Sequence, residues 1–469
     1  MCDFEGNHTI TEQDKPLDEC GIVGVYAPGK PDIARSVYFG LHALQHRGQD
    51  SAGIAANLAG KIQYYKDKGL VQEVFNDEII ERLKGDIAIG HVRYPAEGDT
   101  HVINAMPLVV YYKGGGSLAL AHNGCIVNGQ ILREEMQDQG TMFQTSVDSE
   151  IIAVLIAKHL KDNSTEEAIL KALETIKGAY ALVLTLENKL IGVRDPNGIR
   201  PLCIGKTKDG FVLSSESCAF SLLDAKLIRD VEPGEMVVIE DNEITSYKFN
   251  KNAKKAGCAF EYAYIARPDS DIDKRNVYVA RSLCGAILAK ESPVDADMVI
   301  SVPDSGTVAA IGFAESSGIP YGEGFIKNRY IGRTFIEPDK RVREISVKIK
   351  LNVLKDNVKG KRVVMVDDSI VRGTTSIKIV KMLKDAGAKE VHMRVASPPV
   401  IAPCFFGIDT PNTDELVAAT KSVEEIRQMI GADSIAYLSA EGLQEAIALG
   451  DNLCLACFNS KYPVEIPGI

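Results

Sequence analysis

The apolar and polar positions of this chain fall into two rhythms. In the first region, short apolar runs are bounded by Gly, Asn and Asp. Residues 22–26, 86–91, 117–122, 179–184, 190–193 and 211–214 predict strands on that basis. Ile151, Ile152, Leu155, Ile156 and Leu160 recur at helical spacing and predict a helix over 148–161. A second helix is expected over 34–45, and Pro233-Gly234-Glu235 predicts a turn. The segment 248–257 (KFNKNAKKAG) is basic and nearly free of large apolar residues, so the boundary between two domains is expected there. Beyond it, strand and helix alternate: a strand over 298–302 then a helix over 307–317, and a strand over 362–366 then a helix over 375–386. On that last helix Ile379, Val380, Leu383 and Ala386 share one face and Lys378, Lys381 and Lys384 the other, with Gly387 as the stop. Such units imply a mainly parallel sheet that holds its ligands at the carboxyl ends of the strands.

The chain has 469 residues, 45% of them hydrophobic and 25% charged, which suits two or three globular domains. Its net charge of −11 argues against a general nucleic-acid binder, since phosphate-backbone affinity rests on clustered Lys and Arg. No run approaches the roughly 18 apolar residues of a membrane span. Residues 1–19 are polar and acidic, without the basic start and apolar middle of a secretory signal, so a cytoplasmic location is expected. In that compartment the ten cysteines favour catalysis, metal ligation or packing over disulfides.

The segment 363–376 is the richest in chemistry. A hydrophobic strand delivers Asp367 and Asp368 to its end, and a loop of Ser369, Arg372, Gly373, Thr374, Thr375 and Ser376 opens the next helix. Backbone N–H groups and hydroxyls in such a loop can surround a phosphate at a helix N-terminus. The paired carboxylates can hold ribose hydroxyls and Mg2+. The plainer alternative is a turn followed by a helix cap. This segment resembles the signature of the type I phosphoribosyltransferases, which bind phosphoribosyl pyrophosphate (PRPP), and the resemblance extends over about 200 residues from Cys258 onward. It implies that Asp304 and Ser305 lie in a pyrophosphate-side loop, with Ser305 toward the metal beside Asp367 and Asp368. It also implies that Lys327, Arg329 and Arg333 belong to a basic loop that closes over PRPP. Arg341, Arg343, Lys348 and Lys350 extend the positive charge. A solvated surface is the alternative for all of these basic residues.

In the first region Cys20-Gly21 precedes the first strand. Leu44-Gln45-His46-Arg47-Gly48, Gly90-His91-Val92-Arg93, His122-Asn123-Gly124, Asp148-Ser149 and Arg194-Asp195-Pro196-Asn197-Gly198 then follow in order. The set resembles the class II, N-terminal-nucleophile glutamine amidotransferases over about residues 20–240. The resemblance implies that Cys20 is the nucleophile and that its own α-amine, ordinarily of pKa about 7.7–8.0, is the base. That requires removal of residues 1–19 as a propeptide. Arg93 would meet the glutamine carboxylate and Asp148 its ammonium. The Asn123 side chain and the Gly124 N–H would bind the oxyanion, although Asn-Gly is also a common hairpin turn. Ala96 removes a hydroxyl many members carry, and Val147 replaces their serine.

Cys454 and Cys457 form a C-x-x-C pair, with Cys258 and Cys404 far off in sequence. Four thiolates suit zinc or an iron–sulfur cluster, and a redox C-x-x-C is a third option. Taken whole, the chain resembles the glutamine PRPP amidotransferases, in the subclass with a propeptide and a [4Fe-4S] cluster. The implied fold is an αββα sandwich of residues 20–250 joined to a type I phosphoribosyltransferase α/β domain of residues 251–469. The implied reaction converts glutamine, PRPP and water to 5-phosphoribosylamine, glutamate and pyrophosphate, the first committed step of purine synthesis, with ammonia passed internally. Further expectations of the resemblance are Mg2+, ligation of the cluster by Cys258, Cys404, Cys454 and Cys457, inhibition by purine nucleotides and a homotetramer. Two alternatives are another class II amidotransferase and a non-catalytic PRPP sensor. The 367–376 loop weighs against the first, and the Cys20, Arg93 and Asp148 set against the second.

Overall fold

A computed structural model describes residues 20–94, 101–250, 253–328 and 351–468. Residues 1–19, expected as a propeptide, and Ala96, Arg329, Arg333, Arg341, Arg343, Lys348 and Lys350 lie outside the described residues.

The apolar runs of the first region form two sheets. One has seven strands in the order Lys226–Asp230, Cys203–Lys206, Phe211–Ser214, Gly21–Tyr26, Ile87–Arg93, Ser51–Leu58 and Lys61–Lys68. The other has six, in the order Glu243–Lys248, Glu235–Glu240, Lys189–Arg194, Gly178–Leu186, Ser117–Ile126 and Leu108–Tyr111. The strand pairs are antiparallel. Alternation of side chains gives each sheet two apolar faces, and each face is covered. Ile22, Ala55 and Ile89 of one sheet meet Ala121, Val183 and Val237 of the other in a core between the sheets. The helix Ile33–Ala43 covers the outside of the first sheet. The helices Ser149–His159 and Thr165–Thr175 cover the outside of the second. The result is four layers, αββα.

The second region holds a parallel sheet in the order Met298–Ser301, Arg362–Asp367, Glu390–Val395 and Ser434–Tyr437. One face packs on the helices Thr374–Asp385 and Val423–Ile430. The other packs on Val277–Glu291, Thr307–Ser317 and Ala440–Ile447. That second core also takes in Ala179 and Ile199 from the sandwich and the cysteine-bearing C-terminal segment. The two halves therefore share one apolar interior. Among the described residues, no helix is long and apolar enough to cross a membrane.

Candidate functional site

Cys20 stands directly before the strand Gly21–Tyr26, whose Gly21 pairs with Val92, so Cys20 and Arg93 sit at the same end of neighbouring strands. Arg47 anchors this end. Its Nε donates to the Cys20 carbonyl at 3.1 Å. Its Nη1 donates to Glu216 at 2.6 Å and to Glu261 at 3.0 Å, and its Nη2 to Glu261 at 2.6 Å. All three side chains are buried. Burial opposes the guanidinium charge, but Glu261 and Glu216 more than offset it, so Arg47 stays ionised. Gly48 follows because the turn presses on backbone: a Cβ there would lie 2.6–2.7 Å from backbone atoms of Val92 and Arg93. Arg93 is itself buried, and its carbonyl accepts the Asp50 N–H at 3.0 Å.

Asn123 and Gly124 are not a hairpin turn. They lie inside the strand Ser117–Ile126, opposite Ala181 and Tyr180. Asn123 is fully buried, yet among the described residues neither its Nδ2 nor its Oδ1 has a hydrogen-bond partner. Buried polar groups are ordinarily paired, and an orphan costs about 1–3 kcal/mol. An amide held unpaired in the core is set up for a group that arrives with the substrate.

Asp148 lies immediately before the helix Ser149–His159. Its Oδ2 accepts the Ile126 N–H at 2.9 Å, and its Oδ1 accepts the Ser149 hydroxyl at 3.3 Å. His122 Nδ1 stands 2.9 Å from that hydroxyl, and His91 Nε2 is 3.0 Å from the His122 carbonyl. Burial, the main cause, pushes His91 down to about 3. It also lowers His122, against the pull of Asp148. A ring pushed so far below its ordinary value is a poor general base at neutral pH, which leaves His91 to hold the His122 carbonyl. Val147 packs against Met106 and Leu108, and its carbonyl is held by Arg133, so the missing serine leaves a packed site.

In the second half, the strand Arg362–Asp367 ends where the sequence places the carboxylates. Asp367, Asp368, Ser369 and Ser376 are all buried. Asp367 Oδ1 accepts the Asp368 N–H at 2.9 Å, and the Ser369 hydroxyl donates to Asp368 at 2.6 Å. Gly373 takes a positive φ of 81° and opens the helix Thr374–Asp385. Thr374 Oγ1 is shielded from solvent and has no partner among the described residues, while Thr375 and Ser376 sit in the first turn. Arg372 is drawn aside to Glu415 at 2.7 Å. The loop carrying Asp304 and Ser305 arrives from the neighbouring strand and touches this end, because a Cβ on its Gly306 would lie 2.6 Å from the Val366 carbonyl oxygen. Lys327 reaches Asp304 at 2.5 Å across solvent, an exposed pair worth about 0–1 kcal/mol. Beside it opens a cavity of about 690 Å³ whose lining includes Asp304, Thr307, Tyr321, Glu323 and Lys327.

The family profile described as a glutamine amidotransferase domain matches residues 99–221. The amidophosphoribosyltransferase of Archaeoglobus fulgidus is 52% identical over 453 residues, covering 96% of this chain and 99% of the relative. That of Bacillus subtilis is 49% identical, covering 96% and 95%. The chain belongs to the amidophosphoribosyltransferase family. It is an enzyme, a glutamine-dependent pentosyltransferase of the first committed step in purine biosynthesis. Among solved structures, "glutamine phosphoribosylpyrophosphate (PRPP) amidotransferase from B. subtilis complexed with ADP and GMP" superposes with a TM-score of 0.90 at 49% identity, covering 95% of this chain and 98% of that one. "Structure of the allosteric regulatory enzyme of purine biosynthesis" superposes with a TM-score of 0.91 at 49% identity, covering 95% and 97%.

An amidophosphoribosyltransferase of the cluster-bearing subclass needs its four cysteines together. Cys258 and Cys454 pair across two short parallel strands, and the Ile401 N–H donates to the Cys457 carbonyl at 2.9 Å. Burial raises the Cys258 thiol well above its ordinary value, with Arg200 opposing and Cys454, Glu261 and Cys404 adding. Burial likewise pushes Cys454 up to about 12, with Cys404 contributing. Burial also raises the Cys457 thiol, with Cys454 and Cys404 adding, and the Phe406 N–H points at Cys404 Sγ, 3.4 Å away. Among the described residues no group of three or more His, Cys, Asp or Glu forms a ready site for a metal ion. Cys125 is disulfide-bonded, against the expectation that the cysteines serve catalysis, metal ligation or packing.

The sequence reading left Arg47, Arg194, Arg200, Glu216 and Glu261 without roles. Arg194 binds Asp273 through both terminal nitrogens at 2.7 and 2.9 Å. Arg200 holds the Phe406 carbonyl through Nε, at 2.8 Å, and through Nη2. With Arg47 and Glu261 they join the two halves. Arg194 opens the Arg194-Asp195-Pro196-Asn197-Gly198 segment and Arg200 lies two residues beyond it, and their burial is the signal that only the fold supplies.

Proposed function

We propose that the chain makes 5-phosphoribosylamine, glutamate and pyrophosphate from glutamine, PRPP and water at two sites joined by internal passage of ammonia. The unpartnered, fully buried Asn123 amide is the observation that carries the assignment of the glutamine site. Arg93 binds the glutamine carboxylate and Asp148 its ammonium. The Cys20 thiol loses its proton to the chain's own α-amine, which is free once residues 1–19 are removed. The thiolate attacks the side-chain amide, and the Asn123 Nδ2 and Gly124 N–H take the oxyanion. Ammonia leaves as the thioester forms, and water releases glutamate. The poor basicity of His91 supports the α-amine as base.

At the second site Asp367 and Asp368 hold the ribose. Ser369, Arg372, Gly373, Thr374, Thr375 and Ser376 cradle the 5-phosphate, and the orphaned Thr374 hydroxyl supports that reading. Asp304, Ser305, Lys327, Arg329 and Arg333 receive pyrophosphate. Mg2+, held with Ser305, Asp367 and Asp368, would neutralise charge on the departing pyrophosphate. Ammonia then displaces pyrophosphate at the anomeric carbon.

Cys258 and Cys454, adjacent on paired strands, together with Cys404 and Cys457 would hold a [4Fe-4S] cluster, structural or oxygen-sensing, since neither half-reaction moves electrons. Purine nucleotides as inhibitors find support in the relative solved with ADP and GMP. A homotetramer and a cytoplasmic location complete the reading. Anaerobic purification tests the subclass. About four irons and four sulfides per chain, with an N-terminal mass beginning at Cys20, are expected. Zinc in their place, or a retained residue 1–19 segment in active enzyme, would refute it.

A further inference from the structure

The loop that carries Cys404 reaches the oxyanion strand. Gly407 has φ +111°, and a Cβ built there would stand 2.9 Å from Gly124 Cα, 3.0 Å from Gly124 C and 3.2 Å from Arg200 Nη2. Gly124, at φ +135°, is pressed from its other side, where a Cβ would lie 2.1 Å from the Ala179 carbonyl oxygen and 3.0 Å from Tyr180 Cα. The Gly124 backbone is therefore clamped between its neighbour strand and Gly407, with no room for a side chain on either residue. The loop is itself fixed. The Cys404 N–H donates to Thr410 Oγ1 at 2.6 Å, and the Phe406 N–H to Cys404 Sγ at 3.4 Å. The Phe406 carbonyl is clamped by Arg200, whose own N–H is held by Asp195 at 3.1 Å. Phe406 packs its ring on Tyr462, whose hydroxyl returns to the Pro403 carbonyl at 2.7 Å.

We infer that Gly407 is a positioning residue for glutamine hydrolysis: from the cysteine-bearing loop of the second half, it sets where the Gly124 peptide stands. The inference rests on the reading of Asn123 and Gly124 as the oxyanion site. Oxyanion donors act only when they sit within hydrogen-bond reach of the developing charge. A methyl at position 407 must push either the loop or the Gly124 backbone, and the loop is tied at Cys404, Phe406 and Pro403. The three described atoms nearest a Cβ at position 407 belong to Gly124 and Arg200, not to Arg93 or Asp148.

The test uses full-length, processed Gly407→Ala enzyme. The expected result is a fall of at least tenfold in kcat for glutamine hydrolysis with the glutamine KM changed less than about threefold, since the lost contact forms only in the transition state. Alkylation of Cys20 by iodoacetamide, a displacement at saturated carbon that builds no oxyanion, keeps the parent's rate, as does ammonia-dependent pyrophosphate release. A kcat within twofold of the parent overturns the inference, as does a parallel fall in all three rates. Arg200→Lys, which loosens the Phe406 carbonyl without adding a Cβ, decides the matter if Gly407→Ala does not fold: the same split at smaller size supports the inference, and unchanged hydrolysis overturns it. Asn123→Ala separates the two layers. Hydrolysis surviving there sinks the oxyanion reading itself, whereas hydrolysis lost there but intact in Gly407→Ala sinks only the role of Gly407.

Discussion

Replacing Asn123 by leucine should damage activity while sparing stability, and the structure sets both magnitudes. Leucine keeps the number and branching of the side-chain heavy atoms but carries no polar group. Asn123 is fully buried with both amide atoms unpaired, so the parent carries a desolvation cost of about 1–3 kcal/mol that leucine removes. Against this stands the extra bulk of two methyl groups in a tight strand, which costs typically about 1–3 kcal/mol. The two nearly cancel, and the thermal midpoint should stay within a few degrees of the parent's. Loss of one oxyanion donor should lower kcat for glutamine hydrolysis by about 10²–10³-fold, or about 2.7–4 kcal/mol of transition-state stabilisation. Steady-state hydrolysis and a thermal melt on the same preparation are sufficient assays. A kcat within tenfold of the parent would refute the reasoning. So would a large fall in midpoint, because the amide would then be holding the fold together.

Three further outcomes follow from the same geometry. His91 is pushed down to about 3 from an ordinary 6.5, so below pH 6.5 the unfolded chain takes a proton that the folded chain refuses, and stability present at neutral pH is lost as pH falls through that window. The loss is about 1.4 kcal/mol per pH unit, and His91→Gln should flatten the fall in thermal midpoint between pH 6.5 and 5.5; an unchanged slope would count against it. Thr374→Val removes a hydroxyl that has no partner in the free enzyme, so it should leave stability alone and raise the PRPP KM roughly 10–100-fold, the worth of a hydrogen bond to a charged group; an unchanged KM would remove Thr374 from the phosphate cradle. Arg47→Lys keeps a charge but cannot span the Cys20 carbonyl and both carboxylates. It should cost about 3 kcal/mol, read as a lower denaturation midpoint, and a midpoint equal to the parent's would show the network to be dispensable.

Local chemistry made much of this legible before the fold. The helix expected over 307–317 is observed as Thr307–Ser317, and the strand over 211–214 as Phe211–Ser214, because apolar period and glycine punctuation agree there. The helix expected over 148–161 is shorter, Ser149–His159, with Asp148 left outside to use its carboxylate on Ile126 and Ser149. Asn123-Gly124 taken alone reads as a turn, and only the accompanying segments favour the oxyanion role. Tertiary pairing with the strand Gly178–Leu186 overrode that local preference, and no local signal could have told. The strand Lys61–Lys68 escaped notice because it is an exposed edge with too few apolar residues to set a period. Arg47 escaped for another reason: its carboxylate partners lie 169 and 214 residues away, and only folding brings them together. Gly407 is a plain Phe-Gly in sequence, and its meaning appears only when Gly124 is found against it.

The most direct test of the two-site account measures pyrophosphate release from PRPP by parent and Cys20→Ala enzyme, each supplied with glutamine or with ammonia. The account predicts that the parent uses both donors and that Cys20→Ala uses ammonia alone. Equal use of glutamine by Cys20→Ala would contradict the assignment of Cys20, and release with neither donor in processed parent enzyme would contradict the enzyme reading as a whole.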